Sequence, residues 1–132
     1  MKKTGLLHAE LSRLIASMGH HDMLVIGDAG LPVPPGVPVI DLALRQGVPG
    51  FLETLEAVLS ELCVEEALIG SEMATDSPSL RRSFDRTWPA DVPVREVPHA
   101  SLRETTRRAR AVVRTGEFTP YGNIVLIAGV VF

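Results

Sequence analysis

Cysteine, aromatic residues and long apolar runs are scarce in this sequence, and each scarcity excludes a class of protein. Cys63 is the one cysteine among 132 residues, so an intrachain disulfide framework is excluded, and the residue is interpreted as a small buried hydrophobe. The longest uncharged run, residues 118–132, is too short to span a bilayer and contains Pro120 and Gly122. Polar residues from His8 onward also interrupt any apolar core of a signal peptide. We therefore expect a soluble cytoplasmic protein with no membrane partner.

A strong excess of charge is also missing. The formal net charge is −3, with 45% hydrophobic and 22% charged residues, which is ordinary for a globular protein. The basic run that contains Arg103, Arg107, Arg108 and Arg110 has no interleaved aromatic residues, so we interpret it as a solvated helix face. The composition favours one domain over residues 1–132 and predicts no nucleic-acid partner.

Apolar spacing predicts helices alternating with strands. Helices are expected over residues 8–18, from 51 to about 62, from 78 to 88, and over 102–110, with Ser101 and Glu104 as a capping box for the last. Strands are expected over residues 23–27, 39–40, 64–70, 92–97, 111–114 and 124–132. This order predicts an α/β fold with a mostly parallel sheet flanked by helices.

The last apolar run, residues 124–132, has no apolar–polar alternation. Such a strand is covered on both faces. In so short a chain we expect a second subunit to supply one of the covers, which predicts a homo-oligomer.

Polar side chains cluster next to predicted strand ends, where ligand sites of α/β sheets form. His20 and Asp28 flank one strand and would meet if their loops folded over the same edge. A carboxylate beside an imidazole fixes its tautomer, and a protonated imidazole is a usable general acid near neutral pH. The alternative is that His20 is a surface residue and Asp28 a turn former. His99 and the stretch 120–123 provide further polar groups, and Arg103 lies four residues after His99, close enough to reach back over it.

A metal or nucleotide cofactor is not indicated. His8, His20, His21 and His99 show no familiar ligand spacing, and adjacent histidines are expected to point in different directions. The stretch 27–30 is rich in glycine but lacks the dinucleotide and P-loop patterns. We predict no metal site and no cofactor.

Several motifs together resemble the D-ribose pyranase family. They are GHHD at 19–22, DAGLPVP at 28–34, IDLAL at 40–44, GVP at 47–49, RTGEFTPYGN at 114–123 and AGV at 128–130. The resemblance covers the chain from Lys2 to Phe132 and is weakest over residues 74–96. It implies a fold like that of the ribose pyranases and the related fucose mutarotases.

The resemblance also implies an activity and a site. The family interconverts the pyranose and furanose forms of ribose without a cofactor. His20 matches the family's catalytic acid, and Asp28, His99, Tyr121 and Asn123 match its sugar-binding positions. We also place Asp28 in the catalytic set, and we add Gly122 and Arg103 as further sugar contacts. The family forms ring-shaped homo-oligomers, typically decamers, in which a neighbour's C-terminal segment completes each site.

Two other functions stay open at this point. Gly122 stands where many pyranases carry alanine and where the fucose mutarotase branch tends to carry glycine, so the chain could act on another sugar such as L-fucose. The polar residues could also hold a sugar without catalysis, as in a transport accessory protein. The His20 and Asp28 pair favours catalysis, because binding alone does not need such an imidazole.

Overall fold

Six strands form one sheet in the computed structural model, which describes all of residues 1–132. They are β1 (Met23–Gly27), β2 (Val39–Asp41), β3 (Val64–Gly70), β4 (Val94–Val97), β5 (Ala111–Arg114) and β6 (Ile124–Ala128). Their order across the sheet is β2-β5-β1-β6-β3-β4. Every pairing is parallel except the two made by β6, which runs antiparallel to β1 and β3. The predicted α/β fold with a mostly parallel sheet is confirmed.

Five helices accompany the sheet: α1 (Ala9–Ser17), α2 (Phe51–Leu59), α3 (Glu72–Asp76), α4 (Pro78–Thr87) and α5 (His99–Thr105), which continues into a 3₁₀ turn over Thr106–Arg108. The amphipathic spacing located α1, α2 and α4 within a few residues. It missed α3, which is a single short turn of helix directly after β3. None of these helices is both long and apolar enough to cross a membrane.

The hydrophobic core lies on both faces of the sheet, and the two halves are unequal. One face packs side chains of α1, α2 and α4, including Leu11, Leu55 and Phe84, against alternate strand residues. The other face is a smaller cluster in which Leu102 of α5 and Leu31 cover Val25, Val112 and Val125. Burial on both faces explains why the central strands are continuous apolar runs.

Strand β6 is shorter than the predicted strand over residues 124–132, and its cover differs from the predicted one. It lies in the centre of the sheet and ends at Ala128, and its residues are buried by helices of the same chain. The apolar pattern of residues 124–128 therefore needs no second subunit. The residues beyond it are outside the strand, and Val131 and Phe132 are 88% and 101% exposed.

Helix α5 begins three residues earlier than the predicted start at residue 102, so Ser101 lies inside it and does not cap it. The cap comes from a distant residue, because both carboxylate oxygens of Glu72 accept the backbone N–H of His99, at 3.1 and 2.9 Å. A cap supplied from 27 residues away has no local sequence signature.

Candidate active site

The carboxyl ends of the five parallel strands meet at one edge of the sheet, and because β6 runs the other way, its first residues reach the same edge. Four predicted residues come together there: Asp28 after β1, His99 after β4, and Tyr121 and Asn123 before β6. They line an open cleft of about 520 Å³. The cleft lies where ligands of open α/β sheets bind.

Asp28 and Asn123 form a reciprocal hydrogen-bonded pair at the floor of the cleft. The backbone N–H of Asp28 donates to Asn123 Oδ1, and Asn123 Nδ2 donates to Asp28 Oδ2, both at 2.9 Å. The backbone N–H of Gly30 donates to Asp28 Oδ1, also at 2.9 Å. A carboxylate has about four acceptor positions, so Asp28 keeps acceptor capacity for a ligand while its orientation is fixed.

His99 and Tyr121 form one side of the cleft and contact each other edge to face, with ring centroids 5.1 Å apart. The His99 ring makes no hydrogen bond, and its Nδ1 atom is buried, so Nε2 is the nitrogen open to a ligand. The pKa of Glu72 lies below the ordinary glutamate value, because its carboxylate accepts hydrogen bonds from the backbone N–H groups of Glu72 and His99. These bonds outweigh burial, which raises the pKa. An ionised Glu72 thus fixes the start of α5 and the position of His99.

Tyr121 has a left-handed backbone with φ of +63°, which is uncommon for a bulky residue and typical of functional sites. Two contacts hold this turn: the hydroxyl of the buried Ser77 donates to Pro120 O at 2.7 Å, and Asn123 N–H donates to Tyr121 O at 2.8 Å. The backbone, rather than side-chain packing alone, therefore fixes the direction of Tyr121.

Two lining residues, Arg114 and Glu117, were given no role in the predicted site. Arg114 Nε donates to Ala29 O at 3.1 Å, and its Nη1 pairs with the carboxylate of Asp41. Glu117 accepts the backbone N–H of Phe51 at 3.1 Å and that of Thr119 at 3.0 Å. Burial raises the pKa of Glu117, but hydrogen bonds from Thr119, Phe51 and Phe118 outweigh it and lower the pKa overall. The signal that could have found them is their place at the carboxyl end of β5, where Arg114 is the last strand residue and Glu117 follows three residues later.

Two predicted contact residues do not face the cleft. Gly122 is buried, and a Cβ there would come within 3.1 Å of Glu117 Cγ and 3.3 Å of Leu80 Cδ2. Its place is thus in the packing beneath the site. Arg103 lines a neighbouring groove beside Pro34 and Pro35. Arg103 lies one helical turn from His99, yet it is not among the residues that line the cleft, so its expected contact with the sugar stays a prediction.

His20 lies at the opposite edge of the sheet from the cleft. It precedes β1 whereas Asp28 follows it, and the five residues of that strand span about 13 Å. The backbone N–H of His21 donates to Ala128 O, at the far end of β6. The expectation that His20 and Asp28 meet within one chain is therefore wrong, because the whole strand separates them.

At this second edge His20 and His21 share one carboxylate. His20 Nε2 lies 2.8 Å from Glu65 Oε2, and His21 Nε2 lies 3.0 Å from Glu65 Oε1. The two imidazole rings lie side by side with centroids 3.7 Å apart. The expectation that adjacent histidines point in different directions is wrong here, because His21 has a left-handed backbone with φ of +68°. Glu65 was missing from the predicted site and is the partner of both rings.

Comparison with known proteins gives a consistent result over the whole chain. The model of a family described as the RbsD / FucU transport protein family matches residues 1–131. The chain is 55% identical to a D-ribose pyranase of Chloroflexus aggregans and 52% identical to one of Coprothermobacter proteolyticus, and each match covers 100% of both chains.

Solved structures share the fold. The structure of Bacillus subtilis RbsD complexed with D-ribose matches with a TM-score of 0.95 and 39% identity, covering 100% of both chains. A fucose mutarotase from Streptococcus pneumoniae in complex with L-fucose matches with a TM-score of 0.80 at 21% identity, covering 99% of this chain and 100% of that one. The second likeness concerns the fold alone.

Proposed function

This chain belongs to the RbsD / FucU transport protein family, and we propose that it is a D-ribose pyranase. It interconverts the pyranose and furanose forms of D-ribose. The observation that carries the proposal is the 55% identity over the full length of a D-ribose pyranase. The cleft at the strand ends supports it, because it collects carboxylate, amide, phenol and imidazole groups of the kind that bind a polyol.

The reaction opens and recloses a hemiacetal ring. Opening requires one proton delivered to the ring oxygen and one removed from the anomeric hydroxyl, and closure through a different hydroxyl gives the other ring size. The sugar is neither oxidised nor reduced in this reaction, so no redox cofactor is needed. Positioned acids and bases are each worth about 10²–10⁴-fold in such proton transfers.

The cleft residues bind the sugar in this proposal. Asp28, fixed by Asn123 and Gly30, accepts hydrogen bonds from sugar hydroxyls. Tyr121 offers both a donor and an acceptor, and His99 contributes Nε2. Arg114, which lies outside the predicted site, adds a cation to the same wall. These groups bind and orient a ring, and the proton donor is still to be supplied.

We propose that a neighbouring subunit supplies this donor, His20. Within one chain His20 lies at the far edge from the cleft, with its side chain 45% exposed, and so is accessible to another subunit. The exposed apolar side chains of Val131 and Phe132 follow Ala128 at this same edge and fit a subunit contact. Family resemblance supports a ring, typically a decamer. Cytoplasmic location stays a prediction.

Nuclear magnetic resonance exchange spectroscopy with D-ribose tests the activity. Selective saturation of one anomeric proton should transfer to the signals of the other ring form faster with the protein present than without it. Line broadening without faster transfer would identify a sugar-binding protein and contradict the isomerase. Faster anomer exchange of L-fucose, with D-ribose unchanged, would identify a mutarotase for another sugar.

Mixed oligomers test the shared site. His20→Ala subunits and Asp28→Asn/Tyr121→Phe subunits are each expected to be inactive. When they are dissociated together and reassembled in equal amounts, about one quarter of sites built across an interface regain both intact halves. Reassembly of each parent alone is the control. Mixed oligomers seen by native mass spectrometry without any regained activity would place the whole site within one subunit.

A further inference from the structure

We propose that His20, His21 and Glu65 form a binding site for a divalent transition-metal ion such as Zn²⁺, and that the bound ion inhibits ring interconversion. Each residue offers one ligand atom, and these atoms all lie within 4.8 Å of one another. Tetrahedral zinc with bonds of about 2.0–2.2 Å places its ligand atoms about 3.3 Å apart. The imidazole–carboxylate distances of 2.8 and 3.0 Å need only a small outward movement to admit the ion.

The turn that carries the two histidines is fixed by the backbone. The left-handed residue His21 is tied to β6 by its N–H bond to Ala128 O, at 2.8 Å. Asp22 Oδ2 accepts the N–H of Gly19 at 2.8 Å and Arg110 Nη1 at 2.7 Å. Consecutive side chains of an extended strand point to opposite faces, whereas this turn directs both imidazoles to the same side. The two Nε2 atoms therefore approach one point before any ion arrives.

A β-bulge presents the third ligand. The register of β3 on β6 shifts between Val64, opposite Ala128, and Glu66, opposite Ile127, so Glu65 is the extra residue. Bulges redirect side chains and are frequent beside functional sites. A Cβ on Gly129 would lie 3.0 Å from Glu65 Cβ, so the absence of a side chain there allows the approach. Two separate backbone irregularities thus converge on the same three side chains.

The donor set determines the class of ion. Imidazole nitrogens with one carboxylate suit zinc and its neighbours in the transition series, whereas calcium and magnesium prefer all-oxygen ligands. Three protein ligands leave one position for water. A nitrogen bound to the ion carries no proton, so the ion would remove His20 Nε2 from proton transfer. This inhibition rests on the proposed role of His20, whereas the binding does not.

Calorimetric titration of the assembled protein with Zn²⁺ alone, in a non-coordinating buffer, tests binding. One ion per chain is expected, with Glu65→Gln and His21→Gln each weakening affinity by more than about 100-fold, since even outer partners of metal ligands are worth 10–100-fold. His8→Asn is the matched control, because it removes a remote imidazole and keeps a residue able to cap α1. No binding, or unchanged binding in both site variants, would overturn the metal site.

Ring exchange measured during the same titration tests inhibition. The wild type and His8→Asn should lose activity over the zinc concentrations that fill the site, and any activity that His21→Gln retains should resist them. If one ion binds per chain and the protein keeps full activity, the proposed inhibition is wrong, whereas the proposed metal site is supported. If the metal-free protein does not accelerate ribose exchange, the proposed function fails while the calorimetric result for the metal site remains valid.

Discussion

The two edges of the sheet hold their polar side chains in opposite ways. At the cleft edge, Asn123 is 2% exposed and hydrogen-bonded to Asp28, so the polar groups of the cleft are held by a residue that is buried in the core. At the other edge, His20, His21 and Glu65 are exposed and bonded chiefly to one another. Substitutions at the cleft should therefore affect folding and activity together, whereas substitutions at the histidine edge should affect activity alone.

The largest separation of the two effects is expected for His20→Ala. Loss of a general acid lowers the rate of ring exchange by about 10²–10⁴-fold. Because the side chain is exposed, the free energy of unfolding should change by less than about 0.5 kcal/mol. Exchange spectroscopy and thermal unfolding of the same preparation measure both quantities. Full activity would remove His20 from the acid role, and a large loss of stability would show that the histidine edge also contributes to folding.

Asn123→Ala is the matched change at the cleft edge. It leaves the N–H and a carboxylate oxygen of Asp28 without their partners. A polar group left unpaired costs about 1–3 kcal/mol when it is buried, and less at the half-buried Asp28. We expect a lower unfolding temperature together with weaker sugar binding, measured by calorimetry and ligand titration. A variant as stable as the wild type would show that the polar groups of the cleft do not contribute to folding.

Acid should destabilise the cleft edge through Glu117. Because its pKa is lowered in the folded protein, its ionised form contributes stability above the ordinary pKa, about 4.3, and this is lost as pH falls through the folded value. The stability difference between the wild type and Glu117→Gln should therefore shrink below about pH 4. Chemical unfolding at several pH values measures it, with the exposed Glu104→Gln as control. A difference that stays constant with pH would contradict the assignment.

Removing metal ions or adding a redox cofactor is expected to have the least effect on activity. Dialysis against a chelator, or addition of a nicotinamide cofactor, should not lower the rate of ring exchange, because the chemistry moves protons only. Activity assays before and after dialysis check this. Loss of activity that a divalent metal restores would contradict both this expectation and the inhibition proposed for an ion at His20.

Continuous patterns were predictable from the sequence, whereas contacts between distant segments were not. Strands β1 and β3 have the predicted bounds, because their apolar runs reflect burial on both faces. The start of α5 depends on Glu72, and the second edge depends on a bulge at Glu65, and neither has a local signature. Family motifs located Asp28, His99, Tyr121 and Asn123, yet only the strand directions show that His20 lies apart from them.

The central place of β6 has a consequence for synthesis of the protein. The strands β2, β5 and β1 on one side and β3 and β4 on the other are joined within the sheet only through β6. During translation, β1 and β3 therefore keep unpaired edges until residues 124–128 have emerged from the ribosome. Unpaired strand edges invite pairing with other chains. A nascent or truncated chain that stops before Ile124 is expected to aggregate, which makes the final segment the step that closes the sheet.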